Sequence, residues 1–296
     1  MPVTINNNSS NKKNPQRRYY SPVRKKRPGF FIRLFRKTPG WVWWLGGASI
    51  VALYLSFFYY FFISPYGLRW RALYGDVPYP QGYEIRGIDI SHHQGKIDWD
   101  ELRRGGVIAD SPVRFIMVKA TEGSNLVDKC YADNFKNARD YGYVRGAYHF
   151  WSNLSGAETQ AYNFINNVKL IPGDLPPVLD IEQTSRKISN NELRDSLVRW
   201  LNIIERHYGV KPIIYTYHKF RKKHLTDTIF NCYPNWIAHY YVDTLEYGGK
   251  WDFWQHTDRG KLPGIEECVD LNIFNGSYEQ LMELTLLPPQ DTLVVD

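Results

Sequence analysis

The stretch "PPVLDIEQ", residues 176–183, ends an apolar run on two carboxylates, Asp180 and Glu182, with one isoleucine between them. Successive side chains of a β-strand alternate faces, so residues two apart point the same way. With Leu179 and Ile181 turned toward a packed layer, Asp180 and Glu182 face together into whatever lies opposite. Burying two unpaired charges is costly, so a strand that keeps both invites a chemical reason. Crowding raises the pKa of at least one carboxyl, which is how such a group remains a proton donor near neutral pH. Cleavage of a glycosidic bond needs a donor of this kind at the leaving oxygen, and negative charge near an oxocarbenium-like centre.

The elements that must position the pair can be read along the chain. Eight short β-rich runs recur from residue 85: "EIRGIDIS", "RFIMVKAT", "VRGAYHF", "PPVLDIE", "KPIIYTY", "NWIAHYY", "WDFWQHT" and "VDLNIF". Helix-like stretches separate the early ones, two of them opening on capping-box spacings, Ser155 with Glu158 and Ser189 with Glu192. Gly209 is a C-terminal stop for the second of these. Strand–helix alternation argues for parallel βαβ units. The fold expected is α/β: a modified (β/α) barrel of eight strands in which the second half lacks some helices. Polar residues cluster where the first seven runs end: Asp89, Lys119, His149, Asp180 with Glu182, Tyr217, His239 and Gln255. The C-terminal strand ends form one rim of such a barrel, and active sites sit on that rim. In the eighth run Asp270 comes at the start instead. About ten residues, "DRGKLPGIEE", separate it from the seventh, too few for a parallel crossover. The last strand is therefore expected to be antiparallel, which brings Asp89, Asp180, Glu182 and Asp270 to one mouth.

Aromatic residues near the strand ends, Tyr148, Trp151, Tyr215, Tyr217, Trp236 and Trp254, could stack on sugar faces. Each feature also has a plainer reading. A lone Asp89 or Asp270 caps a loop, the Asp180/Glu182 pair joins a salt-bridge network, and the aromatics fill a core. His92 and His93 look like a metal pair, but adjacent strand residues point to opposite faces. Carboxylates on a barrel rim also suit a divalent-metal hydrolase, although no HxxxH or HExxH spacing occurs. A membrane-tethered glycan-binding module without turnover is the alternative from another class.

The formal charge of +7 over 296 residues is unevenly spread. Residues 1–40 hold 11 Lys or Arg and no acid, leaving 26 basic against 30 acidic residues in the rest. The basic character belongs to a tail too poor in aliphatics to order itself, and nucleic acid is not an expected partner. Trp41 to Ile63, 23 residues without a charge, is long enough as a helix to cross a bilayer. Tryptophans at one end and tyrosines near the other suit the two interfaces. The positive-inside rule keeps the tail in the cytoplasm. The rest is then extracytoplasmic, on the periplasmic side of the inner membrane in a Gram-negative cell. Residues 64–84 read as a Pro- and Gly-punctuated stalk, 85–284 as the barrel domain and 285–296 as a C-terminal tail. Cys130, Cys232 and Cys268 are an odd set, so at least one is unpaired within the chain.

The motifs "RGIDISHHQGKIDW", "VKATEG", "GAYHFW", "LPPVLDIE", "KPIIYT", "NWIAHYY", "WQHTDRGKLPGI" and "VDLNIFNGS" resemble, in order, those of the glycoside hydrolase family 25 lysozymes. The resemblance spans roughly residues 85–280. It implies an N-acetylmuramidase that cuts peptidoglycan glycan strands, on a barrel of eight strands and about five helices with its last strand antiparallel; because His/Cys ligand spacing is lacking and the four acids have a proton-transfer explanation, no metal or other cofactor is expected. It implies roles as well: Glu182 as acid/base, and Asp180 as the residue that orients the substrate's 2-acetamido group for attack on the anomeric carbon. Asp89 and Asp270 match the remaining acids of the cleft, and Lys119, Glu122, Tyr148 and Tyr217 its lining.

Overall fold

The computed structural model describes residues 39–59, 79–185 and 188–288. The basic tail up to residue 38, the last residues of the apolar run (60–63), most of the stalk and residues 289–296 lie outside them. The chain divides into two units, Met1–Phe62 and Ile63–Asp296. In the first, helix α1 (Gly40–Phe58) is 19 residues long, with every side chain exposed. Its length and mean hydropathy of 1.5 suit a membrane crossing.

The second unit is a closed barrel. All eight runs form strands, in order: β1 (Ile85–Ile90), β3 (Ser111–Glu122), β5 (Val144–Phe150), β6 (Val178–Asp180), β7 (Ile213–Tyr217), β8 (Asn235–Ala238), β9 (Phe253–Gly260) and β10 (Val269–Phe274). Two short additions, β2 (Val107–Ile108) and β4 (Leu126–Val127), pair with β3 only. Around the barrel the order is β1-β10-β9-β8-β7-β6-β5-β3, and β3 closes it by pairing parallel to β1. Only β10 runs against its barrel neighbours, antiparallel to both β9 and β1. The loop between β9 and β10, residues 261–268, is as short as a hairpin connection requires.

Crossover helices α2 (Trp99–Gly105), α3 (Tyr131–Asp140), α4 (Ala157–Asn167), α5 (Asn190–Tyr208) and α6 (His218–His224) follow the first five barrel strands, and α7 (Tyr278–Glu283) closes the unit. Helix α5 shows why these stretches are helical. Ser189 and Glu192 form the reciprocal capping box, and Gly209 ends the helix in the left-handed conformation (φ 70°). Its buried face is Leu193, Leu197, Trp200, Leu201 and Ile204, the three- and four-residue spacing of one helical stripe. The box expected at Ser155 and Glu158 does not form. Helix α4 starts at Ala157 with Gly156 as N-cap, one residue late for that register, and Glu158 Oε1 instead accepts from Arg199 Nη1 at 2.7 Å.

Alternation along the strands sorts the apolar residues into two cores. Outward-facing Ile88, Ile116, Val118, Leu179 and Ile214 pack with Phe135, Phe164, Leu197 and Trp200 of the helices. Inward-facing Phe115, Met117, Val178, Ile213, Trp236, Phe253 and Phe274 plug the barrel. The plug is tight enough to dictate a glycine: a Cβ on Gly87 would sit 2.4 Å from the Phe115 ring. Above the plug the inward positions turn polar, and there the site begins.

Candidate active site

The inward positions nearest the C-terminal strand ends are Asp89 on β1, Lys119 on β3, Tyr148 on β5, Asp180 on β6, Tyr215 and Tyr217 on β7, Trp236 on β8 and Gln255 on β9. With Glu182 and Asp270 they line one cleft of about 310 Å³, within the size range of ligand pockets. Strand β6 ends at Asp180, so Glu182 lies two residues beyond it. The alternation persists because Ile181 stays tied to β7: its N–H donates to the Tyr215 carbonyl (3.0 Å), and its carbonyl accepts from Thr216 Oγ1 (2.6 Å). Reversal of β10 puts Asp270 directly opposite Asp89 in the ladder.

Asp89 is the most firmly held of the acids. Its Oδ2 accepts from Gln255 Nε2 and from Asn272 Nδ2, each at 2.7 Å. Gln255 Oε1 in turn accepts from the Tyr215 and Tyr240 hydroxyls, each at 2.7 Å, and Asn272 Oδ1 from Trp236 Nε1 at 2.8 Å. Burial pushes the Asp89 carboxyl up to about 6, against the pull of those amide donors. Asp270 lacks such donors; burial first, and then the charge of Asp89, lift it to about 9. Asp270 therefore holds a proton at neutral pH and shares it with Asp89. Burial, and then the charges of Glu182 and Asp89, raise Asp180 well above the carboxylate range. Its Oδ1 is buried without a hydrogen-bond partner. Glu182 is raised by burial, with the Tyr215 and Tyr217 hydroxyls and Lys119 pulling the other way. Near neutral pH the mouth thus offers carboxyls whose pKa values are all raised, Asp270 protonated among them, and one unsatisfied acceptor. Among the described residues no three His, Cys, Asp or Glu side chains are arranged to hold a metal ion.

Other expected residues lie elsewhere. Trp254 does not line the cleft: its neighbour Gln255 faces in, so Trp254 faces out. It is fully buried against Tyr83 and Trp251, with Nε1 donating to the His239 carbonyl at 2.8 Å. Glu122 sits behind Lys119, accepting from its Nζ at 2.7 Å. A bulge between Lys119 and Thr121 brings the two to one side. His149 is buried on the outer face between Thr121 Oγ1 (2.7 Å) and Gln160 Oε1 (3.1 Å), and burial lowers it to about 4, leaving it neutral. Trp151 is buried in the outer core. His92 and His93 occupy a 3-10 turn, not a strand, and their rings lie side by side at 4.0 Å. The strand-alternation reason for separating them therefore does not apply. His92 Nδ1 is 2.6 Å from Asp128 Oδ2, and His93 reaches the cleft rim. All three cysteines are free thiols. Sequence reasoning missed Tyr240, Asn272 and Asp258. Tyr240 and Asn272 lie two residues from Ala238 and Asp270 on inward faces, so alternation could have found them. Asp258 is brought inward by register shifts between β9 and β10 that leave no sequence signal.

A barrel with one reversed strand, and carboxyls of raised pKa gathered at its C-terminal mouth, has the arrangement acid/base hydrolysis requires. Comparison with known proteins gives the particular family. Residues 88–265 match the profile of glycosyl hydrolases family 25, and the chain belongs to that family. It is 40% identical to the uncharacterized protein YegX of Escherichia coli over 250 residues, covering 80% of this chain and 90% of YegX. It is 33% identical to Lysozyme M1 of Streptomyces globisporus over 219 residues, 68% of this chain and 71% of that one. A solved family 25 glycosyl hydrolase from Bacillus anthracis superposes with a TM-score of 0.65 at 35% identity, covering 72% of this chain and 98% of the other. The chain is a glycoside hydrolase of the lysozyme type.

Proposed function

We propose that the protein is a membrane-anchored N-acetylmuramidase that cuts the β-1,4 bond between N-acetylmuramic acid and N-acetylglucosamine in peptidoglycan. The observation that carries this reading is the Asp180/Glu182 pair: two carboxyls on one side of one cleft, the first with a buried oxygen that lacks a donor. Protonated Glu182 gives its proton to the glycosidic oxygen as the bond to the anomeric carbon breaks. An acetamido N–H of the substrate supplies the donor that Asp180 Oδ1 lacks, which aims the acetamido oxygen at that carbon. The resulting oxazolinium-type intermediate is opened by water, which loses a proton to Glu182, restoring the acid. Two carboxylates flanking the sugar from opposite sides, as in ordinary retaining or inverting pairs, are not required. Protonation also makes Asp270 a poor base for activating water.

Helix α1 supports the anchor, and the eleven cations before it support an N-terminus in the cytoplasm with the barrel on the side where peptidoglycan lies. The test of the acid is Glu182→Gln, which keeps the shape but not the proton. Release of reducing ends from purified peptidoglycan should fall by roughly 10²–10⁴-fold while glycan binding persists. Full activity in the folded variant removes Glu182 from the role. A wild-type protein that binds glycan and cleaves none would instead be the tethered binding module.

A further inference from the structure

Glu182 also borders a second cavity, of about 410 Å³, that the reaction above does not use. Glu182, Tyr217 and Tyr240 line both spaces, so the acid forms part of a shared wall. The remaining walls come from α6, which reads HKFRKKH and contains no acid, and from Ala238 and His239 at the end of β8. Phe220, the tyrosine rings and the lysine stems make these walls largely apolar, while Lys219 and Lys223 supply charge. The imidazoles of His218 and His239 stack with centroids 4.5 Å apart at 21°. His218 Nε2 and His239 Nδ1 are both buried and have no hydrogen-bond partner. A basic helix is ordinarily a solvated face. Here it borders a concavity, and the two ring nitrogens are closed off beneath its wall. Apolar walls and a cationic rim suit a ligand that is part aliphatic and part anionic.

Building on the muramidase reading, we propose that this cavity binds the peptide substituent of the muramic acid residue at the scissile bond. The methyl-bearing units next to the sugar lie against Phe220, Tyr217 and Tyr240. A peptide carboxylate meets Lys219 and Lys223. The substituent thereby holds the sugar in register with Glu182 on the shared wall, and the enzyme prefers peptide-bearing, anionic strands to neutral ones.

The test compares the full-length protein in detergent with its Lys219→Ala/Lys223→Ala variant. Both lysines are exposed, so the substitutions leave the packing intact. Each protein is given native peptidoglycan strands, and strands whose carboxyl groups have been converted to amides with a carbodiimide and ammonia. Amidation leaves phosphate esters charged, so the effect reports carboxylates alone. Wild-type kcat/KM should fall roughly tenfold on amidated strands, chiefly through KM, and the preference should shrink as salt rises. The variant should be slower than wild type on native strands by a similar factor and lose little more on amidated ones. Equal wild-type rates on the two substrates, or a variant that keeps the full preference, refute the cavity's role and leave the muramidase reading intact. Release of no muramic-acid reducing ends from either substrate refutes both.

Discussion

Replacing Asp270 with asparagine should stabilise the barrel at neutral pH and do almost nothing at pH 4. Asp270 and Asp89 face each other across the β1–β10 ladder, and burial lifts their carboxyls from 3.8 to about 9 and about 6. The unfolded chain releases both protons near pH 4, whereas the native barrel keeps them, so the native state binds more protons as pH rises. Stability from this pair is therefore full below about pH 4. It is lost progressively through about 6 for Asp89 and about 9 for Asp270. One pKa unit corresponds to about 1.4 kcal/mol, and Asp270 stays protonated for roughly three units between its unfolded value and pH 7, a penalty of about 4 kcal/mol. The partners share a proton, and Asp270 is only partly shielded from solvent. The recoverable part is about 2–4 kcal/mol at pH 7–8. The substituted asparagine keeps the shape and an amide donor for Asp89 but cannot ionise. Urea unfolding of the full chain in detergent, followed by tryptophan fluorescence at pH 4, 6 and 8, measures the difference. Parallel stability curves for the two proteins, or a variant less stable at pH 8, would refute the proton-sharing assignment.

A general acid must carry its proton, so kcat/KM should decline as pH rises through the elevated Glu182 value. Tyr217→Phe, which removes a hydroxyl that favours the carboxylate, should move that alkaline limb to higher pH; an unmoved or lowered limb contradicts the contact. Attack by the acetamido oxygen and then by water inverts the anomeric carbon twice, so NMR before mutarotation should show the β-anomer first. Initial α-anomer would transfer the role to Asp89 as a base on water. A reporter active only after export should give signal when fused to the C-terminus and none at the N-terminus; the opposite pattern contradicts both orientation and substrate.

Much of the barrel was legible because its signals are local. The period of two that pairs Asp180 with Glu182, the eight β-rich runs, the Ser189 box and the shortness of the loop before β10 all lie within a few residues of their consequences. Period alone does not say which face of a strand is inside. Trp254 and Gln255 were both expected at the cleft, yet adjacency allows only one of them to face it, and packing against Tyr83 and Trp251 chose. The bulge that turns Glu122 toward Lys119, and the one-residue shift that undoes the Ser155 box, depend on neighbours the local pattern does not contain. The protonation order of the acids is the most tertiary property of all. Asp89 is held by amides from Gln255 and Asn272, 166 and 183 residues away in the chain, while Asp270 faces it without such donors. The sequence determined that Asp89, Asp180, Glu182 and Asp270 meet at the mouth, but not that Asp258 joins them. Only barrel closure decided which of them keeps its proton, because burial and donor geometry, not residue type, set the cost of each charge.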